Sequence, residues 1–414
     1  MSVRAISVNL WGQRVCAIAV DANGQLNTQF DPQFLKANLD IAPINLPIED
    51  LRQNPTQIQR FDDLPERTYR GLPAFLVDSL PDDFGNALVN QYMASKGILP
   101  RDITVLDRLA YTGKRAMGAF EFEPASKDIV KNKSALEMSN LVEMARRALT
   151  GNLDDSPEQS LQDLLSVGTS AGGARAKAVI AWNPKTNEVF GGQFDAPPGS
   201  EHWLLKFDGV GEDAELGLSE GYGKVEYAYY LMAKAAGIDM TESKLFEENG
   251  RSHFMTKRFD REGNQKIFYQ SLCGLMEMDF RQKGVHEYQQ YLRAINALSL
   301  GHDALCQAFR RIAFNIMARN CDDHTKNFGF LMGVNGAWKL APAYDVMYAY
   351  NPKGEWTYQH LCGINGKFDG HTRGDLLALA KQFNIKKPEL ILDEVKNAVS
   401  SWKTFAKEVG VNEK

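Results

Sequence analysis

Residues 320–327 read Asn-Cys-Asp-Asp-His-Thr-Lys-Asn, and residues 341–346 read Ala-Pro-Ala-Tyr-Asp-Val. Three of these side chains offer hard oxygen donors: Asp322, Asn327 and Asp345. Asp322 and Asn327 stand five positions apart (327 − 322), and Asp345 stands 18 beyond Asn327 (345 − 327). Phe328–Val334 reads as a strand, Asn335-Gly336 is a strong short hairpin signal, and Ala337–Leu340 reads as the returning strand. That hairpin brings Asp345 back beside Asn327, so the three side chains can converge. Phosphoryl transfer needs such a group. One carboxylate orients or deprotonates the attacking hydroxyl, and further oxygens ligate magnesium ions bridging the nucleotide phosphates. His324 and Lys326 lie between, within reach of phosphate oxygens. The plainer reading is a polar helix C-terminus with ordinary capping before a hairpin. A metal site from Cys321, Asp322 and His324 is a further alternative, but consecutive turn residues rarely close a metal shell.

Two more segments bear on the same chemistry. Gly168-Thr-Ser-Ala-Gly-Gly-Ala-Arg-Ala-Lys177 opens a strand, and its glycines let backbone N–H groups approach an anion closely. It matches neither established glycine-rich phosphate motif, and a surface loop is the plain alternative. Lys206 sits inside the apolar strand Trp203-Leu-Leu-Lys-Phe207, where burial is costly without an anion. A nucleotide phosphate, or Glu226 on the following helix, would serve; a snorkelling surface lysine is the alternative. Taken in order, the glycine loop, strand lysine, helix glutamate, Asp-x-x-x-x-Asn loop and post-hairpin Asp follow the order of parts in a kinase.

The elements that must position these groups fall into three textures. Met1–Pro124 opens with strand-like alternation at Val3, Ile6, Val8 and Leu10, then Val15–Val20 and a turn at Asp21-Ala-Asn-Gly24. Helical text follows at Phe75–Lys96. Ser134–Ser166 reads as a mostly helical connection, broken at Gly151–Pro157. Val167–Arg261 is β-rich: strands at Ala178–Trp182 and Glu188–Gly191 flank a turn, with further strands at His202–Phe207 and Phe254–Phe259 and a helix over Gly223–Ala236. Ile267–Lys414 is helical apart from one hairpin. Before the loop, Leu305, Phe309, Ile312, Ile316 and Met317 share a helical face that anchors it in a core. A small β-rich lobe before a larger helical one suits a kinase, although many folds share that layout.

The 414 residues exceed what one core usually serves. At 44% hydrophobic and 24% charged, the composition excludes a disordered or fibrous chain. A net charge of −5 gives no sign of direct nucleic-acid binding. Cys16, Cys273, Cys306, Cys321 and Cys362 form no CxxC pair and suit a reducing compartment. Residues 1–20 lack the layout of a signal peptide, and no apolar run approaches the ~20 residues that span a bilayer. The expectation is a cytoplasmic protein.

These residues resemble a known family. Asp322-Asp-His-Thr-Lys-Asn327 resembles the Asp-x-His-x-Lys-Asn catalytic loop of HipA-type kinases, and more distantly that of phosphatidylinositol kinases. Tyr344-Asp345-Val346 is similar to the family's stand-in for Asp-Phe-Gly. Lys257-Arg-Phe-Asp-Arg261 resembles its Glu-Arg-Phe-Asp-Arg hinge, and Ser79-Leu-Pro-Asp-Asp-Phe-Gly85 its N-terminal signature. The resemblance implies an α+β, protein-kinase-like two-lobed fold. It divides into an N-terminal subdomain at 1–133, an N-lobe-like region at 134–265 and a helical C-lobe at 266–414. It implies ATP and Mg2+ as cofactors, Asp322 as catalytic base, and Asn327 and Asp345 as catalytic magnesium ligands. Nucleotide contacts would come from Gly172, Gly173, Ala174, Arg175, Lys177, Lys206, Lys257, Phe259 and His324. Ser170 aligns with the serine whose autophosphorylation ejects the glycine loop. The implied activity is a serine/threonine kinase toxin acting on a protein, classically an aminoacyl-tRNA synthetase. Its partner would be a HipB-like helix-turn-helix antitoxin through which alone it meets DNA, with no membrane involved. Two departures stand out: Gly-Gly-Ala-Arg-Ala-Lys replaces Ala-Gly-Ala-Gln-Glu-Lys, and Lys257 replaces the hinge Glu. The rivals are a non-catalytic regulator working with the antitoxin, and a small-molecule or lipid kinase on the same scaffold.

Overall fold

A computed structural model of the chain describes residues 2–37, 39–94, 96–126, 135–150, 163–164, 167, 175–210, 212–213, 217–218 and 221–411. The first sheet has five antiparallel strands in the order Ile58–Gln59, Leu26–Phe30, Gln13–Val20, Ala5–Leu10, Phe120–Glu123. Ile6, Val8 and Leu10 alternate into its core, as the period-2 pattern requires. The Asp21 turn closes as its residue types dictate. The carboxylate accepts the N–H groups of Asn23 (2.8 Å) and Gln25 (2.9 Å), and Gly24 takes φ +81°.

The helical text at 75–96 is divided. A 3-10 turn covers Ala74–Ser79 and an α-helix covers Asp83–Ala94. Pro81 lacks an N–H and disfavours helical geometry at Leu80. Asp82 restarts the helix, its Oδ1 accepting the Gly85 N–H at 2.6 Å.

The second sheet is also five-stranded and antiparallel, ordered Ser243–Glu248, Arg251–Lys257, Glu201–Lys206, Lys177–Trp182, Val189–Gly191. Alternation gives it two unlike faces. Ala178, Ile180, Trp203, Leu205 and Met255 pack under Phe84, Leu88, Leu141, Val142 and Ala145, so the helices Asp83–Ala94 and Met138–Thr150 cover that side. The other face meets the helix Tyr222–Ala235. The approach is close enough that a Cβ on Gly223 would lie 1.9 Å from the Ser252 carbonyl oxygen. Strand Ser243–Glu248 escapes sequence reading because four of its six residues are polar and it lies at an edge.

The third sheet orders Phe268–Ser271, Gly329–Met332 and Trp338–Leu340. The last two strands are the expected hairpin; Phe268–Ser271 adds a strand to a region read as otherwise helical. Its turn is not the two-residue type that Asn-Gly favours. Gly336 donates to Gly333 O at 2.9 Å and takes φ +77°, whereas Asn335 keeps negative φ, which is a type I turn with a glycine bulge. Helices Tyr288–Ala297, His302–Met317, Arg373–Gln382 and Pro388–Ser400 share one core. Leu305, Phe309 and Ile312 are buried in it, with Ile316 and Met317 packed against it. All five cysteines are unpaired. Among the described residues, no helix is long and apolar enough to cross a membrane.

Candidate active site

Between the second sheet and the hairpin lies an open cleft. Lys177, Leu204, Lys206 and Glu226 line its sheet side, Lys257 to Asp260 line one end, and His324, Lys326, Asn327 and Asp345 line the opposite wall. Asp78 and Met117, from the N-terminal part of the chain, line it too.

Lys177 and Lys206 are directly opposed across neighbouring antiparallel strands, so both point to the cleft face. Like charges so placed repel, and both residues are buried. Three carboxylates compensate. Lys206 Nζ donates to Glu226 Oε1 at 2.5 Å and also to Asp345 Oδ1. Lys177 Nζ lies 3.4 Å from Asp82 Oδ2. Burial alone would raise the Asp345 pKa, but Lys206 and Lys177 hold it well below the usual carboxylate range. Burial would lower that of Lys206; Asp345 and Glu226 raise it instead. Asp345 takes φ +55°, a left-handed conformation uncommon outside glycine that turns its carboxylate toward Lys206. Arg175 turns elsewhere: its guanidinium lies 3.5 Å from Glu226 Oε2 and 4.7 Å from the centre of the Tyr222 ring.

The loop 320–327 is held from several sides. Asn320 N–H donates to Asn315 O (2.9 Å) and Cys321 N–H to Ala349 O (3.0 Å). Thr325 Oγ1 donates to Met278 O (2.7 Å) and Tyr344 Oη to Lys326 O (2.7 Å). Asn327 Nδ2 donates to the Asp322 carbonyl at 2.7 Å, closing the loop on itself. Asp322 stands at the rim, its side chain 39% exposed. Trp356 Nε1 donates to its Oδ1 at 2.7 Å, and His324 Nε2 is 3.8 Å from the same oxygen. Burial, with Asp345 and Asp323 nearby, raises the Asp322 pKa above its ordinary value.

Asp323 is fully buried and serves as the anchor. It accepts hydrogen bonds from Tyr288 Oη, from His360 Nδ1 at 2.7 Å and from the Leu361 N–H at 2.7 Å. His360 responds: burial would lower its pKa, but the Asp323 carboxylate raises it to about 10.

At the far end Arg258 clamps Asp260 with two hydrogen bonds, 2.8 and 2.6 Å, and Asp260 Oδ2 accepts the Gly118 N–H at 2.7 Å. The two guanidiniums of Arg258 and Arg261 outweigh burial and hold Asp260 well below the carboxylate range. Lys257 Nζ pairs with Glu201 at 2.6 Å. Phe259, Tyr269 and Tyr344 cluster with ring centres 5.4 to 6.3 Å apart. A Cβ on Gly329 would come within 2.7 Å of the Tyr269 ring, so this cluster needs glycine there.

The structure thus gathers Asn327, Asp345, Lys177, Lys206, Lys257, Phe259 and His324 around one cleft, with Asp322 beside it, 3.8 Å from His324. Arg175 is adjacent but turned to Glu226. Ser170, Gly172, Gly173 and Ala174 lie outside the described residues. The alternative metal site does not form: Cys321 Sγ faces His360 at 3.8 Å, and no metal-holding group of three His, Cys, Asp or Glu occurs among the described residues. Sequence reading missed Asp78, Asp82, Asp323 and Trp356 as parts of the site. The doubled Asp at 322–323 was a signal for the anchor. Trp356, 34 residues from its partner, carried none.

An α+β fold of two lobes around a cleft with these groups is that of the protein-kinase-like class. Residues 169–402 match the HipA-like C-terminal domain and residues 6–123 the HipA N-terminal domain. The chain belongs to the HipA family. A curated Haemophilus influenzae protein named as a candidate kinase is 28% identical over 203 residues, 45% of this chain and 55% of that one, so the chain spans about half the length of that relative. HipA of Shewanella oneidensis MR-1, solved as a toxin–antitoxin complex with HipB and operator DNA, superposes with a TM-score of 0.64 at 15% identity, covering 98% of this chain and 91% of that one. At that identity the likeness is one of fold.

Proposed function

We propose that the chain is an ATP- and magnesium-dependent protein kinase of the HipA toxin type. The observation that carries the reading is the opposed pair Lys177 and Lys206 facing Asp345 across a cleft that also holds Asn327, with Asp322 at its rim. Two lysines on one sheet face, with Asp345 and Asn327 beside them to hold a cation, suit a nucleotide triphosphate with its magnesium.

The donor set fits magnesium. Asp345 is ionised throughout the working range, and the Asn327 Nδ2 bond to the loop leaves Oδ1 as the amide atom available to a cation. Magnesium bound there would neutralise charge on the phosphates. Lys206, with Lys177 opposed to it on the neighbouring strand, holds the α- and β-phosphates. The Phe259 end receives the adenine, and His324 adds a nucleotide contact. Asp322 orients a serine hydroxyl in line with the γ-phosphorus and takes its proton. Ser170 is the self-modified residue. The substrate is a protein, an aminoacyl-tRNA synthetase by family resemblance. The Shewanella relative's complex supports a HipB-like DNA-binding antitoxin as partner.

Two variants test the reading. Asp322→Asn loses roughly a hundredfold or more of turnover while calorimetry still registers ATP; retained turnover removes Asp322 as base. Asp345→Asn weakens magnesium-dependent ATP binding by about tenfold or more; unchanged affinity would remove it as a ligand.

A further inference from the structure

We propose that Trp356 is a positioning residue for Asp322, holding one carboxylate oxygen so that the other faces the acceptor hydroxyl. The inference rests on the kinase reading above. Trp356 lies 34 residues beyond Asp322, and its indole N–H donates to Asp322 Oδ1 at 2.7 Å. His324 Nε2 approaches that same oxygen at 3.8 Å. With Oδ1 held by the indole N–H, rotation of this partly exposed carboxylate is restrained, and Oδ2 is left to the acceptor.

The segment that carries the indole is anchored. It is tied down at His360, whose ring donates to Asp323 at 2.7 Å, and at Leu361, whose N–H donates to Asp323 Oδ1 at 2.7 Å. Lys283 Nζ also donates to Glu355 O at 2.7 Å. The adjacent aspartates therefore divide the work. Asp323 is buried and holds the segment down; Asp322 is partly exposed and receives the indole that the segment carries. In the transfer the acceptor oxygen bonds to the γ-phosphorus, the β–γ bridging P–O bond breaks, ADP leaves, and the hydroxyl proton passes to Asp322 Oδ2. A carboxylate displaced by a fraction of an ångström loses that alignment while leaving nucleotide binding intact.

Trp356→Phe keeps a ring and removes the N–H. The measurement is transfer of label from γ-labelled ATP, to the chain and to lysate proteins, as a function of ATP concentration, with ATP affinity by calorimetry and a melting curve alongside. The expected result is a maximal rate lower by about tenfold or more, with half-saturating ATP, affinity and melting temperature unchanged. An unchanged rate overturns the proposal. A raised rate overturns it too, since the indole would then be an inhibitory cap. Affinity and melting temperature falling together with the rate also overturn it, by making the residue structural. Wild-type protein that binds ATP but transfers nothing defeats the kinase reading first, and this inference with it.

Discussion

Lys206 is the most heavily committed single side chain in the cleft. It is buried, opposed by Lys177, and balanced by Glu226 and Asp345. Removing one partner of a buried ion network typically costs about 3–5 kcal/mol; here Arg175 remains to pair with Glu226. Lys206→Met is therefore expected to fold with a lowered melting temperature and to lose measurable ATP affinity by calorimetry; wild-type affinity would exclude Lys206 from the phosphate site. At this scale the sequence was most informative where residue types are demanding. A lysine in an apolar strand calls for an anion, and Glu226 and Asp345 supply it; Asp-x-x-x-x-Asn gained its meaning only from the hairpin and the Asp beyond it. Trp356 and Asp78 were illegible because their roles depend on contacts across 34 and 193 residues, Asp78 accepting both the N–H and the hydroxyl of Ser271.

The loop 320–327 is an element shaped by its neighbours rather than by its own propensities. Its anchor, Asp323 with His360, has a defined pH signature. The pKa of His360 is about 10 in the folded protein against an ordinary 6.5. A pKa raised on folding contributes stability that is complete below the unfolded value and disappears as pH climbs through the folded one. The melting-temperature gap between wild type and His360→Gln is therefore expected to be widest near pH 6 and to close toward pH 10. A gap constant across that range would rule out the charged pair. Element positions were legible where alternation or turn chemistry was strong, as at Ile6, Val8 and Leu10 or the Asp21 turn. They were not at the polar edge strand Ser243–Glu248, whose partner supplies its hydrogen bonds. The Asn335-Gly336 turn shows a third outcome, a correct hairpin with a different turn inside it.

In the whole molecule the N-terminal part is tied into the cleft. Asp82 pairs with Lys177, Asp260 receives the Gly118 N–H, and Trp11 Nε1 donates to Lys266 O at 2.8 Å. The helix Asp83–Ala94 shares a core with the second sheet, a partnership no local pattern announces. Asp82→Asn retains an N-cap, since Asn caps as well as Asp, but leaves Lys177 without that anion. It is expected to destabilise the protein by about 1–3 kcal/mol. Adding Lys177→Met is expected to recover part of the loss, because it removes the buried ammonium that has lost its anion. Additive losses in thermal melts would show that the two are uncoupled.

Whether phosphate moves at all is the most direct question. The purified chain is incubated with γ-labelled ATP and magnesium, beside Asp322→Asn, and its mass and labelled sites are determined. A kinase of this type gains a phosphoryl group on Ser170 or labels a lysate protein, and the Asp322→Asn chain does neither. Wild type that binds ATP yet labels neither itself nor any lysate protein would contradict the kinase reading and leave a nucleotide-binding regulator.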